Sequence, residues 1–341
     1  MKIFICEHAC DLTPSGASHA APAGFAGDIL LQSLISDLSY VGNMAVSILR
    51  EPSARKIDVP ASISIVPLHP RHACKAVEAC ISQADAVWPL APESNGMLAS
   101  ISRNILHHKK ILLGSTPDAV HLAGSKYRTS QALRAAGILV VPTLRTDANL
   151  PAGLQGLVVK PDQGAGCLDT HIFSHAAAAR EWIAAQTRGD YVLQPYISGR
   201  PCSLSLLCGN NEVFLLGCND QRVAVSDHQF HYLGSTVNSI DDADGELLRL
   251  ASRVIAAIPG LWGYVGIDLI ITEQGPVVLG VNPRMTMSHA GLHASIGANP
   301  ASMLFDMLQS GHCGMAVPHA SRQVSVDINA ASAANASVLL H

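Results

Sequence analysis

The first third of the chain alternates two kinds of hydrophobic pattern. Short apolar runs at Lys2–Cys6, Ala45–Leu49, Ser62–Val66, Ala84–Trp88 and Lys110–Leu113 have the length of buried strands. Between them, Leu30, Leu31, Leu34, Ile35 and Leu38 recur at helical spacing, and further helical stretches run over His72–Ser82 and Met97–His107. Strands that alternate with helices predict parallel βαβ units. Residues 1–115 therefore read as a small doubly wound, Rossmann-like domain of the α/β class.

The pattern changes after residue 115. A helix over Ser125–Ala136 ends at Gly137, a residue suited to the C-terminal cap. From Ile138 on, strand-like runs come in pairs: Leu157–Lys160, Tyr191–Pro195, Cys202–Cys208, Val213–Cys218, Tyr264–Thr272 and Val277–Val281. Two helices, His175–Gln186 and Ala243–Ile258, interrupt them. Paired strands with interspersed helices predict an α+β domain over residues 116–316. Residues 317–341, rich in Ala, Ser and His, carry no pattern and read as a mobile tail.

Composition narrows the function. With 22 basic and 26 acidic side chains the formal net charge is −4, and no basic run offers a footprint for nucleic acid. No apolar run reaches the ~18–20 residues of a bilayer span, and the run after Lys2 is too short for a signal peptide. The chain thus reads as cytoplasmic, without membrane or nucleic-acid partners. Its nine cysteines are scattered and include no C-x-x-C pair, against a disulfide framework or structural zinc.

Four segments carry chemistry, and their order matters. Gly124-Ser125-Lys126-Tyr127-Arg128-Thr129 puts a lysine at a helix N-terminus, where its charge adds to the positive end of the dipole and suits a phosphate. Leu157-Val158-Val159-Lys160-Pro161-Asp162-Gln163-Gly164-Ala165-Gly166 is a strand that ends in a lysine and enters a Gly-rich loop. Gly164 and Gly166 let backbone N–H groups approach phosphate oxygens while Lys160 supplies a point charge. Because the lysine precedes the glycines, this is not a G-x-x-x-x-G-K-[ST] loop. In Tyr191–Gly199, the hinge Gln194-Pro195-Tyr196-Ile197 joins two strands and can offer backbone groups to an adenine edge.

The fourth segment pairs Gly266–Thr272 with Val277–Arg284 across a turn at Glu273–Pro276. An odd-membered turn sets Asp268 opposite Gly280, with Asn282 two residues on and on the same face. Asp268 and Asn282 offer hard oxygen ligands to Mg²⁺, and Arg284 stands ready to steady a developing anion.

In this order, the four segments resemble the ATP-grasp superfamily from about Ala84 to Leu292, including Ala91-Pro92-Glu93 and Leu113-Gly114-Ser115. The run Asn282-Pro283-Arg284-Met285-Thr286-Met287-Ser288-His289 is similar to the branch that contains tyramine–glutamate ligase of methanofuran biosynthesis. Cys6–Cys10 and Leu30–Leu38 are similar to it more weakly. The resemblance implies a Rossmann-like pre-ATP-grasp domain followed by an ATP-grasp domain. It also implies an ATP- and Mg²⁺-dependent carboxylate–amine ligase that joins the γ-carboxylate of glutamate to tyramine or tyrosine. By motif match, Lys126 and Lys160 contact phosphates, Gln194 to Ile197 hold adenine, Asp268 and Asn282 hold Mg²⁺, and Arg284 stabilises the acyl phosphate or tetrahedral intermediate.

Three positions depart from the superfamily. Ser125 replaces an Asp before the first lysine. Pro201 replaces the glutamate that holds the ribose hydroxyls, leaving Gln194 as a candidate. Gly280 replaces a glutamate that bridges two Mg²⁺ ions, and glycine supplies no ligand. The last keeps open a second reading, a nucleotide-binding protein with weak or lost ligase activity in a regulatory or assembly role; a ligase for other amino acids is a third. Thr13–Gly24, Asp220–Gly234 and Met285–His293 are the expected pocket loops. A homo-oligomer is left open.

Overall fold

The computed structural model describes residues 1–7, 25–69, 72–148, 156–186, 189–209, 212–312, 322–328 and 339–340. The pocket segment Thr13–Gly24 and the run His8–Cys10 lie outside them.

The N-terminal elements are β1 (Lys2–Glu7), α1 (Phe25–Ser39), β2 (Ala45–Arg50), β3 (Ile63–Pro67), α2 (Ala73–Gln83), β4 (Ala86–Leu90), α3 (Met97–His107) and β5 (Ile111–Leu112). The strands form one parallel sheet in the order β3-β2-β1-β4-β5. Its central strand shows why the run at Ile3–Cys6 is apolar without alternation. Ile3 and Ile5 enter the core that holds α1, whereas Phe4 and Cys6 enter the core formed by α2 and α3. A strand with helices on both faces buries every side chain.

After this sheet come α4 (Pro117–Ala123), α5 (Lys126–Ala135), β6 (Leu144–Arg145), β7 (Leu157–Pro161), β8 (His171–Phe173), α6 (Ala176–Ala184) and β9 (Tyr191–Pro195). The chain continues through β10 (Arg200–Cys208), β11 (Val213–Ser226), β12 (Gln229–Val237), α7 (Glu246–Ala257), β13 (Gly263–Thr272), β14 (Gly275–Asn282), α8 (His289–Ile296), α9 (Pro300–Ser310), β15 (Val324–Asp327) and β16 (Leu339–Leu340). All these strands join one sheet, in the order β14-β13-β10-β11-β12-β8-β7-β9-β6, with β15 beside β12. Every pairing among them is antiparallel. The predicted architecture, a parallel N-terminal sheet followed by an α+β unit, is the one observed.

Three expectations are corrected. Asp220–Gly234 is not a loop, because β11 runs on to Ser226 and turns at Asp227-His228 into β12. Both turn residues take positive φ, 50° and 63°, the conformation of a tight two-residue hairpin. Residues 317–341 are not simply a tail. Val324–Asp327 pairs with Val237–Gly234 of β12, and Val324 and Val326 are buried. Met285–His293 is also more than a loop, since α8 begins at His289.

The two sheets share a core. α1 and the C-terminal helices α8 and α9 contribute to one apolar cluster with Ile3, Ile5, Leu207 and Val237. Trp88 of β4 lies 5.8 Å from Tyr264 of β13, ring stacked on ring, and 6.3 Å from Phe305 of α9.

Candidate active site

Strands β10 and β13 are amphipathic by alternation. Cys202, Leu204, Leu206, Val265, Ile267 and Leu269 enter a core with Leu133 of α5 and with Leu247, Leu250 and Val254 of α7. The intervening positions present polar groups on the opposite face. Ser203 pairs with both Asn219 and Asp268, and Asn219 donates through Nδ2 to the hydroxyls of Ser203 (3.3 Å) and Ser205 (3.0 Å).

Asp268 does lie opposite Gly280, but by a different route from the one expected. The turn has two residues, Glu273 and Gln274, and Thr272 pairs with Gly275. That register continues to Leu269↔Val278, and a bulge then advances β14 by one residue so that Asp268 meets Gly280 and Gly266 meets Asn282. An extra residue in one strand turns the following side chains to the other face. Without it Leu279 would stand on the polar floor. Both Asp268 oxygens accept hydrogen bonds from amides, Oδ1 from Nε2 of Gln221 at 2.8 Å and Oδ2 from Nδ2 of Asn282 at 2.9 Å. Gly266 leaves room for the loop that follows; a Cβ there would lie 2.6 Å from the Thr286 methyl.

The two lysines come from the other end of the sheet. Leu157 and Val159 of β7 bury into a small core with Tyr191 and Leu193, which turns Val158 and Lys160 to the opposite face. Lys126 opens α5 after the cap Ser125, and its Nζ donates to the backbone oxygens of Pro161 (2.9 Å), Gly164 (3.1 Å) and Asp162 (3.3 Å). The anion at the α5 N-terminus is Asp162 itself. Its Oδ1 accepts from the Tyr127 N–H (2.8 Å) and its Oδ2 from the Ser125 hydroxyl (2.7 Å). Lys126 therefore ties down the Gly-rich loop, and a side chain already caps the helix.

Burial depresses both amines, and the neighbouring charge of Lys126 lowers Lys160 further, to about 7. The charges of Lys126 and Asp268 both act on Lys160, and those of Asp268 and Glu93 both act on Arg284. Cys167, at positive φ in the same loop, feels Asp268, Lys160 and Lys126. Its thiol is pushed up by burial and by the Asp268 charge.

Glu93 and Gln163 are partners the sequence reading did not assign. Arg284 donates from Nε to Oε2 of Glu93 (2.5 Å), from Nη2 to Oε1 (3.3 Å), and from Nη1 to the Met285 carbonyl (3.0 Å). Burial alone would raise the Glu93 carboxyl, but the Arg284 charge and hydrogen bonds hold it below the ordinary range. Two residues on, the Asn95 N–H donates to Oε1 of Gln163 at 2.9 Å. One short turn of the N-terminal sheet thus touches both the Gly-rich loop and the arginine.

The hinge is less open than its sequence suggested. Gln194 shares the Lys160 face, yet its Nε2 donates to the Thr143 hydroxyl at 2.8 Å and its side chain is buried. The Tyr196 N–H is taken by the Gly156 carbonyl at 3.0 Å, and the Tyr196 ring is exposed. Pro195 closes β9, and Ile197 follows it outside the strand.

Two lysines of a Gly-rich lobe thus lie within reach of the charges of Asp268 and Arg284 in a second lobe, with Asn282 hydrogen-bonded to Asp268. Residues 44–120 match the pre ATP-grasp 3 domain and residues 123–288 match the ATP-grasp domain. The chain belongs to the ATP-grasp superfamily. Its ATP-grasp fold is shared with an ATP-grasp superfamily protein from Archaeoglobus fulgidus at a TM-score of 0.68 and 20% identity, covering 96% of this chain and 92% of that one. An L-amino acid ligase from Bacillus licheniformis superposes at 0.68 with 15% identity, covering 96% and 80%. Among curated relatives, the tyramine–L-glutamate ligase of Methanocaldococcus jannaschii is 26% identical over 208 residues. The match spans 61% of this chain and 58% of that enzyme.

The donor set fits one hard cation. Mg²⁺ uses one or two carboxylates and completes its shell with phosphate and water. Asp268 supplies a carboxylate, and each flanking amide carries an oxygen as well as the nitrogen that donates to it. Among the described residues no group of three or more His, Cys, Asp or Glu side chains could hold a metal. No described helix is long and apolar enough to cross a membrane.

Proposed function

We propose that this chain is an ATP-dependent carboxylate–amine ligase, joining the γ-carboxylate of glutamate to tyramine or tyrosine in methanofuran biosynthesis. The observation that carries the reading is the convergence of Lys126, Lys160, Asp268 and Arg284, from separate strands and loops, into one electrostatic neighbourhood. The similarity to tyramine–L-glutamate ligase over 208 residues supports the substrates.

In this reading, Lys160, Gly164 and Gly166 bind the phosphates, with Lys126 holding the loop in shape, and the Gln194–Ile197 hinge borders the adenine. Asp268 and Asn282 hold Mg²⁺, which lowers the repulsion between a carboxylate and the triphosphate. A substrate carboxylate oxygen attacks the γ-phosphorus, the bond to the β,γ-bridging oxygen breaks, and ADP leaves. The amine nitrogen then attacks the acyl carbon, the carbon–oxygen bond to phosphate breaks, and the amine proton passes to water. Arg284, immobilised by Glu93, stabilises the anionic intermediate. The unit doing this work spans residues 116–316 together with β15, set against the domain of residues 1–115.

The test is to incubate purified protein with ATP, Mg²⁺, glutamate and either tyramine or tyrosine, reading ADP release and the amide by mass spectrometry. ADP and a γ-glutamyl amide are expected. Nucleotide binding without ADP release for every amine would overturn the ligase in favour of a nucleotide-binding protein with a regulatory or assembly role, which Gly280 favours. Turnover with other amino acids alone would keep the chemistry and replace the substrates.

A further inference from the structure

The polar floor differs from a two-metal site in one respect that bears on what it binds. Gly280 sits directly across from Asp268, where a carboxylate would have to stand to share a second cation. A Cβ built at Gly280 meets nothing within 4 Å, and the backbone there needs no positive φ. The recess is open space that no other side chain has filled. The polar residues around it, Gln221, Asn282 and Ser203, are all neutral, which leaves Asp268 as the carboxylate of this floor among the described residues. Asp268 in turn faces the charges of Lys160, Lys126 and Arg284, two of them amines whose protonation burial already disfavours.

Resting on the nucleotide-site reading above, we infer that the chain binds its nucleotide with a single divalent cation, held at Asp268 with amide help from Asn282 and Gln221, and lacks the second. The electrostatic argument is one of number. A second dication needs a further carboxylate to offset its desolvation, because hard cations are held mainly by anionic oxygens. With glycine at 280 that charge is absent, and the lysines oppose any replacement ion at the same spot. Lys160 then carries part of the neutralisation that the second ion would have given to the phosphates. The recess over Gly280 also admits a new side chain: a glutamate there enters free space beside Asp268, at cross-strand distance from it.

The experiment counts ions without asking for turnover. Mn²⁺ is titrated into protein with the β,γ-methylene analogue of ATP, bound Mn²⁺ is measured from loss of the free-ion electron paramagnetic resonance signal, and bound nucleotide is measured in the same dialysis. One Mn²⁺ per bound nucleotide is expected for the wild-type chain, and two, magnetically coupled, for Gly280→Glu. Asp268→Asn is expected to weaken Mn²⁺ binding at least tenfold. Two ions per nucleotide in the wild-type chain overturn the inference and leave the nucleotide site intact, whereas failure to bind nucleotide overturns both. Undiminished Mn²⁺ affinity in Asp268→Asn overturns the assignment of the ion to that carboxylate. The wild-type count decides the matter even where Gly280→Glu does not fold.

Discussion

Arg284 and Glu93 stand 191 residues apart in sequence and meet as a two-pronged ion pair, Glu93 buried and Arg284 half-buried, that fastens the loop after β14 to the N-terminal sheet. Removing one partner of such a pair leaves the other as an uncompensated buried charge, which costs about 3–5 kcal/mol. Glu93→Ala should therefore lower unfolding stability by about that amount in a urea titration. The double replacement Glu93→Met with Arg284→Met should lose much less than the sum of the single losses. Additive losses would show that the pair is not coupled.

Lys160 makes nucleotide affinity depend on pH with a definite sign. The free amine titrates at about 7 instead of 10.5, so above pH 7 the cleft holds a neutral lysine. A triphosphate favours the charged form, so binding above pH 7 must take up a proton and affinity falls as pH rises. Calorimetry at pH 8 in buffers of different ionisation enthalpy should show uptake approaching one proton per nucleotide, abolished by Lys160→Met. Fold stability moves the opposite way. The unfolded chain keeps this proton up to 10.5, so the free protein gains stability between pH 7 and 10.5.

A buried group between α1 and α8 gives a second pH signature. His293 Nδ1 lies 2.7 Å from Asp37 Oδ1, and His289 Nε2 lies 3.8 Å from Asp37 Oδ2. Burial, with the His293 charge adding to it, pushes His289 down to about 3, so below pH 6.5 the unfolded chain takes a proton that the folded one refuses. That contribution to stability is lost as pH falls from 6.5 toward 3. Asp37, raised by burial to about 6 from 3.8, acts in the opposite sense between those values. Melting temperatures from pH 7 to 4 should therefore fall less steeply for His289→Phe than for the wild-type chain. Equal slopes would contradict the assignment.

Asp162 links the α5 cap to the Gly-rich loop. Asp162→Ala removes the acceptor of the Tyr127 N–H and should cost about 1–2 kcal/mol, the range for a lost helix cap. It should also weaken nucleotide binding, because the Ser125–Tyr127 end of α5 then loses the carboxylate that ties it to the Gly-rich loop. Asp162→Asn, which keeps an acceptor oxygen, should recover part of both losses in denaturation and in nucleotide titration.

Much of this was legible in local pattern, and the rest depended on long-range geometry. The non-alternating run at Ile3–Cys6 announced a strand buried on both faces, and the β13–β14 pair announced Asp268 beside Asn282. The bulge that aligns Asp268 with Gly280 has no local signature, and a wrong turn length gave the right pairing. Glu93 lies within Ala91-Pro92-Glu93, yet no spacing rule joins it to Arg284 across another sheet. Gln194 alternated correctly onto the Lys160 face, but χ angles, not strand period, turned its amide to Thr143. Val324–Asp327 is too short to read as a strand alone and becomes one only because β12 offers it an edge.

The single pairing of His171 with Gln229 joins β8, the strand that leaves the Gly-rich loop, to the tip of the β11–β12 hairpin, and β12 carries β15 on its stem. The Ile172 N–H donates to the His228 carbonyl (2.8 Å) and the Phe230 N–H to the Thr170 carbonyl (2.9 Å), so the junction is more than a touch. Lifting the loop away from the floor has to stretch this seam as well as the Lys126 bonds to the loop backbone. The glycine loop and the C-terminal strand are consequently tied to one and the same hairpin.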